Sequence, residues 1–191
     1  MRSDKGMTLI EVMVALAVAA MTLLVVIPNY NASYKVNLKS ASRTLSGVFR
    51  YIYNGAIARN HVYRVVFDLD RELYWVESSS QTLISSTMES PENGKKEEGA
   101  PPPSFQKDDS KLGKETSLPR GVEFESIERS SSKEPITSGK VFVHAFPHGF
   151  VEQVAIHLID AGDHEMTIIN RPLMGSTKIY AQRQSLPHPE K

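Results

Sequence analysis

One acidic residue lies inside the most apolar stretch of the sequence. Residues 9–27 read LIEVMVALAVAAMTLLVVI, in which only Glu11 and Thr22 are polar. The Thr22 hydroxyl can bond back to its own helix, so it needs no further explanation. A carboxylate in an apolar span is costly to desolvate and is a functional hypothesis by default. Glu11 is therefore the first candidate functional residue.

Metal binding is a second chemistry that the sequence invites. Four histidines could supply imidazole ligands for zinc: His144, His148, His157 and His164. His144 and His148 are four residues apart, but each of the four histidines falls on a predicted strand or turn, so none forms the helical i, i+4 pair of a zinc protease. Three nearby acids lack the glycine and terminal glutamate of an EF-hand loop: Asp160, Asp163 and Glu165. We expect surface or half-buried histidines and no metal site.

The sequence offers no motif for catalysis. It contains no cysteine, which excludes a thiolate nucleophile, a thiolate metal site and a disulfide framework. The glycine patterns of a nucleophile elbow, a phosphate-binding loop and a dinucleotide fold are also missing. Acids and bases balance at 22 each, and Arg171, Lys178 and Arg183 are too few to predict a nucleic-acid stripe. We predict that the protein is not an enzyme and has no cofactor and no small-molecule substrate, and we do not expect nucleic acid as a partner.

The apolar stretch predicts a membrane-spanning helix. About twenty apolar residues cross the hydrocarbon layer of a bilayer. Arg2 and Lys5 precede the stretch, which favours a cytoplasmic N-terminus and an exported remainder. An ordinary secretory signal would end in a small-residue cleavage site, whereas this stretch continues into Pro28, Asn29 and Tyr30. A plain signal anchor is the remaining alternative, and it leaves Glu11 unexplained.

The string Gly6-Met7-Thr8-Leu9-Ile10-Glu11 resembles the prepilin leader of type IV pilins and type II secretion pseudopilins. The resemblance implies that prepilin peptidase cuts after Gly6 and that Met7, in place of the usual phenylalanine, becomes the methylated first residue. Glu11 matches the glutamate of this family, and Pro28 falls where many members carry a proline. The freed α-amine would be largely protonated at neutral pH. Glu11 could pair with the α-amine of a neighbouring subunit and so fix the axial register during assembly.

The predicted fold is α+β, with a long N-terminal helix packed on an antiparallel β-sheet head. Residues 1–6 form the leader, 7–28 the transmembrane and assembly helix, and 29–59 an amphipathic continuation whose apolar residues recur every three or four positions. Pro28 predicts a kink, and Gly47 and Gly55 predict close approach to the sheet. Residues 60–181 form the β-rich periplasmic head, in which Trp75 is expected in the core. A disordered insertion is predicted over 78–117 because few large apolar residues occur there, and 182–191 are predicted to form a frayed tail.

The head contains, in order, Leu118-Pro119-Arg120-Gly121-Val122, Phe146-Pro147-His148-Gly149, a predicted apolar strand 151–159, a second strand 164–170 and, after Gly175, a final strand 178–181. This order resembles the GspH/FimT group of minor pseudopilins and pilins. This resemblance implies a minor pseudopilin of a type II protein secretion system, in the bacterial inner membrane with a periplasmic head. Its partners would be prepilin peptidase and the other major and minor pseudopilins of a periplasmic filament, at or near the filament tip. The alternatives are a minor type IV pilin that primes pilus assembly or DNA uptake, and a membrane-tethered sensor or enzyme.

Overall fold

The computed structural model describes residues 8–79, 104–132 and 134–186, and within the helix it describes no side chain of residues 23–34. Within these residues the structure contains one helix of 51 residues and ten strands, and the strands form two antiparallel sheets. The elements are α1 Leu9–Arg59, β1 Val62–Asp68, β2 Leu73–Ser79, β3 Gln106–Lys107, a 3₁₀ turn Lys111–Gly113, β4 Thr116–Ser117, β5 Val122–Arg129, β6 Lys140–Phe146, β7 Phe150–Val151, β8 Val154–Asp160, β9 Glu165–Asn170 and β10 Thr177–Tyr180.

Helix α1 runs without interruption through Pro28 and ends where the sequence predicts. At 1.5 Å per residue its length is about 77 Å. Asn60 closes it in the left-handed conformation, with φ of 54°, which asparagine adopts more readily than most residues. The chain can therefore turn at once into β1. The kink at Pro28 remains a prediction.

The second half of α1 packs on the sheets through the predicted apolar stripe. The buried members of that stripe are Leu38, Ala41, Leu45, Val48, Ile52 and Ala56. The close approach predicted at Gly55 is confirmed, because a Cβ there would lie 3.2 Å from the Tyr63 ring. The same expectation for Gly47 is wrong, since that position faces open space. Gly55 is thus the glycine that permits close packing of helix on strand.

The two sheets pack around the same helix. In the larger sheet the strand order is β3-β2-β1-β6-β7, with β4 also paired to β2. In the smaller sheet the order is β10-β9-β8-β5. A single sheet was expected, and the predicted strand 151–159 is in fact divided. Val151 pairs with β6 in the larger sheet, whereas Val154 pairs with β5 in the smaller sheet.

The point of division is fixed by side-chain hydrogen bonds. The Asn170 amide donates to the Glu152 carbonyl at 2.8 Å, and its carbonyl accepts from the Val154 backbone at 2.7 Å. The Glu152 backbone N–H donates to the His144 carbonyl at 2.9 Å. The crossover therefore keeps its backbone groups paired while the chain changes sheets.

The predicted insertion 78–117 is too wide at both ends. Ser78 and Ser79 belong to β2, and residues 104–117 contain β3, the 3₁₀ turn and β4. This part is ordered by polar contacts: Asp108 is buried, and its backbone N–H donates to the Val76 carbonyl at 3.0 Å. The prediction depended on apolar content, which gives no information about hydrogen bonds between polar groups. Residues 80–103 lie outside the described residues.

The predicted frayed tail 182–191 is also corrected over its described part. Leu186 is buried at 3 % exposure, and its backbone N–H donates to Glu128 Oε2 at 3.1 Å. The Gln184 N–H donates to the Thr167 hydroxyl at 3.1 Å. Residues 182–186 therefore lie along the outer face of the smaller sheet. Residues 187–191 are outside the described part of the chain.

Candidate functional site

The N-terminal end of α1 is the first candidate site, and Glu11 stands in its first turn. Thr8 is the N-cap in extended conformation, and its carbonyl accepts from the Glu11 N–H at 3.1 Å. Glu11 is exposed and lies where a helix dipole favours negative charge. The predicted processing residues Gly6 and Met7 lie outside the described residues. The structure thus leaves the Glu11 carboxylate accessible to another molecule.

The N-terminal part of α1 around and after Glu11, whose side chains are described as far as Thr22, exposes an apolar surface. Leu9 is 81 % exposed and Met21 is 72 % exposed, and the side chains between them are also exposed. The Thr22 hydroxyl donates to the Val18 carbonyl at 2.8 Å, as predicted. A contiguous apolar surface of this kind marks an interaction site for protein or membrane. Over the residues that the structure describes, no helix reaches the length and apolar character needed to cross a membrane.

The ordered loop 104–117 is fastened to the far end of the helix through Asp108. The Tyr51 hydroxyl donates to Asp108 Oδ2 at 2.7 Å, and the Ser110 N–H donates to the same oxygen at 3.1 Å. Arg59 lies 3.6 Å from Asp108 Oδ1 and donates to the Tyr63 hydroxyl at 2.8 Å. Burial raises the pKa of Asp108, but the hydrogen bonds from Ser110 and Tyr51 outweigh it and leave the pKa lowered. The carboxylate therefore stays charged and holds the loop.

A second polar network lies under the chain segment 182–186. His157 is 1 % exposed, with Nδ1 3.1 Å from the Thr167 hydroxyl and Nε2 3.2 Å from Glu128 Oε1. Burial lowers the pKa of His157, although the Glu128 carboxylate opposes the shift. Burial thus favours the neutral imidazole, while Glu128 also accepts from the Ser185 hydroxyl at 3.3 Å. The expectation of surface or half-buried histidines is wrong here, because alternation in β8 places His157 beneath a segment predicted to fray.

The remaining candidate metal ligands lie in separate surroundings. His144 Nδ1 is 3.0 Å from Glu152 Oε2, and His148 is exposed and stacks on Phe146. His164 contacts Asp160 at 3.0 Å. Across residues 8–79, 104–132 and 134–186, no three histidine, aspartate or glutamate side chains converge on a possible metal position.

Asp160 has a structural role in the β8–β9 turn. Its Oδ1 accepts from the backbone N–H groups of Gly162 and His164, at 2.8 and 3.0 Å. Burial raises the pKa of Asp160, but these bonds and the His164 side chain outweigh it and lower the pKa. The Asp160 carboxylate therefore stabilises the turn through these hydrogen bonds. Asp163, in the same turn, adopts the left-handed conformation with φ of 58°.

The basic residues near the C-terminus do not share one free surface. Arg183 forms an ion pair with Glu125 and donates to the Ser126 hydroxyl at 3.4 Å. Arg171 and Lys178 line a separate surface depression. The weak basic signal in the sequence is thus partly neutralised in the fold.

Comparisons with known proteins match both ends of this architecture. Residues 1–27 match the prokaryotic N-terminal methylation motif. No curated protein matches the chain significantly. The crystal structure of the minor pseudopilin EpsH from the type II secretion system of Vibrio cholerae is similar, with TM-score 0.53 and 14 % identity over 79 % of this chain and 98 % of that chain. The solution structure of Escherichia coli GspH gives TM-score 0.52 and 8 % identity over 80 % and 93 % of the two chains. This chain therefore carries a prokaryotic N-terminal methylation motif joined to a head with the minor pseudopilin fold.

Proposed function

We propose that this protein is a minor pseudopilin of a type II protein secretion system. The observation that carries the proposal is the combination of an N-terminal methylation motif and a minor pseudopilin head on one long helix. Prepilin peptidase cuts after Gly6, Met7 is methylated, and residues 7–28 anchor the chain in the bacterial inner membrane with the head in the periplasm. The head has no catalytic role; it acts by contact with other subunits.

The helix serves two states in succession. Before assembly, the exposed apolar surface from Leu9 to Met21 is covered by lipid. After assembly, the same surface packs against the helices of other major and minor pseudopilins at or near the tip of a periplasmic filament. Transfer from lipid to protein leaves no hydrophobic surface in water, so the exchange costs little in apolar burial.

Glu11 sets the axial register at which the helix packs against its neighbours in the filament. Its carboxylate is exposed in the first turn, where it can meet the α-amine of a neighbouring processed subunit. An unpaired charge in an apolar filament core costs several kcal/mol, so registers that leave Glu11 unpaired are disfavoured.

The experiment is co-purification of the chain with the other pseudopilins of its host, together with export of the host's type II cargo. Wild-type protein should enter the filament and restore export to a deletion strain. Glu11→Ala should be processed normally and remain in the membrane. Glu123→Ala, which removes an exposed carboxylate of the head, is the matched control and should behave as wild type. Normal incorporation of Glu11→Ala would refute the register role, and normal export in the deletion strain would refute the secretion role.

A further inference from the structure

Three cations form a basic patch beside a cavity at the N-terminal side of the head. Lys35, Lys39 and Arg43 are spaced by four residues, so they lie along one face of α1, and all three are exposed. They line a cavity of about 630 Å³ between the helix and the edge of the smaller sheet. The apolar part of the cavity wall is formed by Leu38, Met166 and Ile179.

These cations make no ion pair with any carboxylate of the described chain. Several other cations of the head are paired, among them Arg64 with Glu77, Lys107 with Glu115 and Arg183 with Glu125. Lys111, Lys114 and Lys178 also lack an ion pair with any described residue, so what distinguishes the patch is that its three cations line one cavity. Glu165 is the acid in the wall of the cavity, opposite three positive groups. The patch therefore carries net positive charge and an apolar wall, which together suit an anionic group attached to an apolar body.

The position of the patch along the helix indicates which anion it meets. This step depends on the proposed membrane anchor, 7–28. The helix is unbroken from Leu9 to Arg59, so Lys35 lies about 10 Å beyond Pro28, and Lys39 about 16 Å. Helical side chains tilt toward the N-terminus, which here directs both ammonium groups back toward the membrane. A bilayer extends roughly 5–8 Å beyond its hydrocarbon on each side as headgroups, so the Lys35 side chain reaches them directly. Lys39, and Arg43 at about 22 Å beyond Pro28, have side chains that end within about one Debye length of the headgroups and are attracted by their charge.

We propose that the basic patch Lys35–Lys39–Arg43 docks the head on the anionic phospholipid headgroups of the membrane that anchors it. The anchor holds headgroups beside the patch at high effective concentration, whereas an acidic protein would have to diffuse to it. The docked state holds the subunit in the membrane pool. Entry into a filament lifts the helix out of the bilayer and removes the contact.

The test compares lysine reactivity in nanodiscs of two compositions. Processed full-length protein is placed in phosphatidylcholine alone or in phosphatidylcholine with phosphatidylglycerol, and an amine-reactive reagent is followed by mass spectrometry. One lysine near an anionic surface is stabilised by about 1 kcal/mol, so Lys35 and Lys39 should react roughly fivefold more slowly in the anionic discs. High salt should remove the difference.

The chain supplies its own control lysines. Lys111 and Lys114 are exposed on the loop that Tyr51 fastens, about 24 Å farther along the helix than Lys35. Their rates should be the same in both lipids. The double variant K39Q/R43Q should relieve the protection of Lys35, whereas K111Q/K114Q should leave it intact.

Each outcome has a separate meaning. Equal rates at Lys35 in both lipids, or protection that persists in K39Q/R43Q, would overturn membrane docking while leaving the pseudopilin assignment untouched. Protection that appears only when acidic pseudopilins are added would assign the patch to a protein instead and would overturn the proposal. A chain that fails to enter nanodiscs would contradict the anchor itself, and with it the proposed function.

Discussion

Replacing Gly113 with alanine should detach the ordered loop 104–117 from the helix. A Cβ at Gly113 would lie 1.8 Å from the Asp108 carbonyl oxygen, and protein Cβ atoms essentially never come within 3.0 Å of such a neighbour. The obstacle is backbone, so the loop has to move by more than an ångström. Such a movement breaks the bond from Tyr51 to the Asp108 carboxylate and the bond from the Asp108 N–H to the Val76 carbonyl.

The expected cost follows from those two bonds. A hydrogen bond to a charged group contributes about 1.5–3 kcal/mol and a neutral backbone bond about 1 kcal/mol, so G113A should lose roughly 2.5–4 kcal/mol. Arg59 adds little because its side chain is 57 % exposed in the ion pair with Asp108.

Denaturant unfolding of the full chain in detergent measures this loss. Trp75 is the only tryptophan and is adjacent to Val76, so its fluorescence reports on the strand that pairs with the loop. Gly47→Ala is the matched control: its Cβ would meet nothing within 4 Å, and alanine in a helix should stabilise by about 1 kcal/mol. If G113A unfolded within about 0.5 kcal/mol of wild type, the account of the loop as fastened through Asp108 would be refuted.

Three further changes test other parts of the fold. Gly175→Ala should destabilise strongly in thermal unfolding, because its φ is +56° and a Cβ would lie 2.2 Å from the Tyr53 ring; an unchanged Tm would contradict that packing. Leu45→Ala should cost about 2–5 kcal/mol by denaturant titration, because Leu45 is fully buried, whereas Val36→Ala at an exposed position should be near neutral. Burial lowers the folded-state pKa of His157, so below about pH 6.5 the histidine is protonated in the unfolded chain more readily than in the folded chain. The free energy of unfolding should therefore decrease as the pH is lowered. His157→Gln should flatten the stability profile between pH 7 and pH 5, measured against wild type, and an unchanged slope would show that the histidine does not carry it.

Local pattern was sufficient for the elements whose apolar spacing is regular. The stripe from Leu38 to Ala56 predicts both the helix and its buried face, and both are confirmed. The alternation in 62–68 and 72–77, with Leu69-Asp70-Arg71 between them, predicts the first hairpin. The observed hairpin has a register from Val62↔Ser79 to Asp68↔Leu73. Trp75 is buried as expected, at 6 % exposure, but it lies outside the hydrophobic core cluster, and Lys107 and Lys140 approach its ring.

The errors arose where polar contacts between distant residues decide the structure. The loop around Asp108 is ordered by Tyr51, 57 positions away in the chain. The segment 182–186 is held by Glu128, about as far from it along the chain. Composition alone cannot show that such partners meet, because their meeting depends on the packing of two sheets around one helix.

The division into two sheets was missed for a related reason. A run from Val151 to Ile159 has the composition of one strand, yet Glu152 and Gln153 carry the chain from one sheet to the other. Asn170 completes that crossover with both ends of its amide. One signal was present in the sequence: two adjacent polar residues interrupt the apolar run at the crossing.

The most direct test of the central claim is the intact mass of the protein from its native membrane, with prepilin peptidase present or deleted. The account predicts loss of residues 1–6 and gain of one methyl group on Met7 when the peptidase is present, and the unprocessed mass when it is deleted. The same N-terminus in both strains would contradict entry of this chain into a pseudopilin filament.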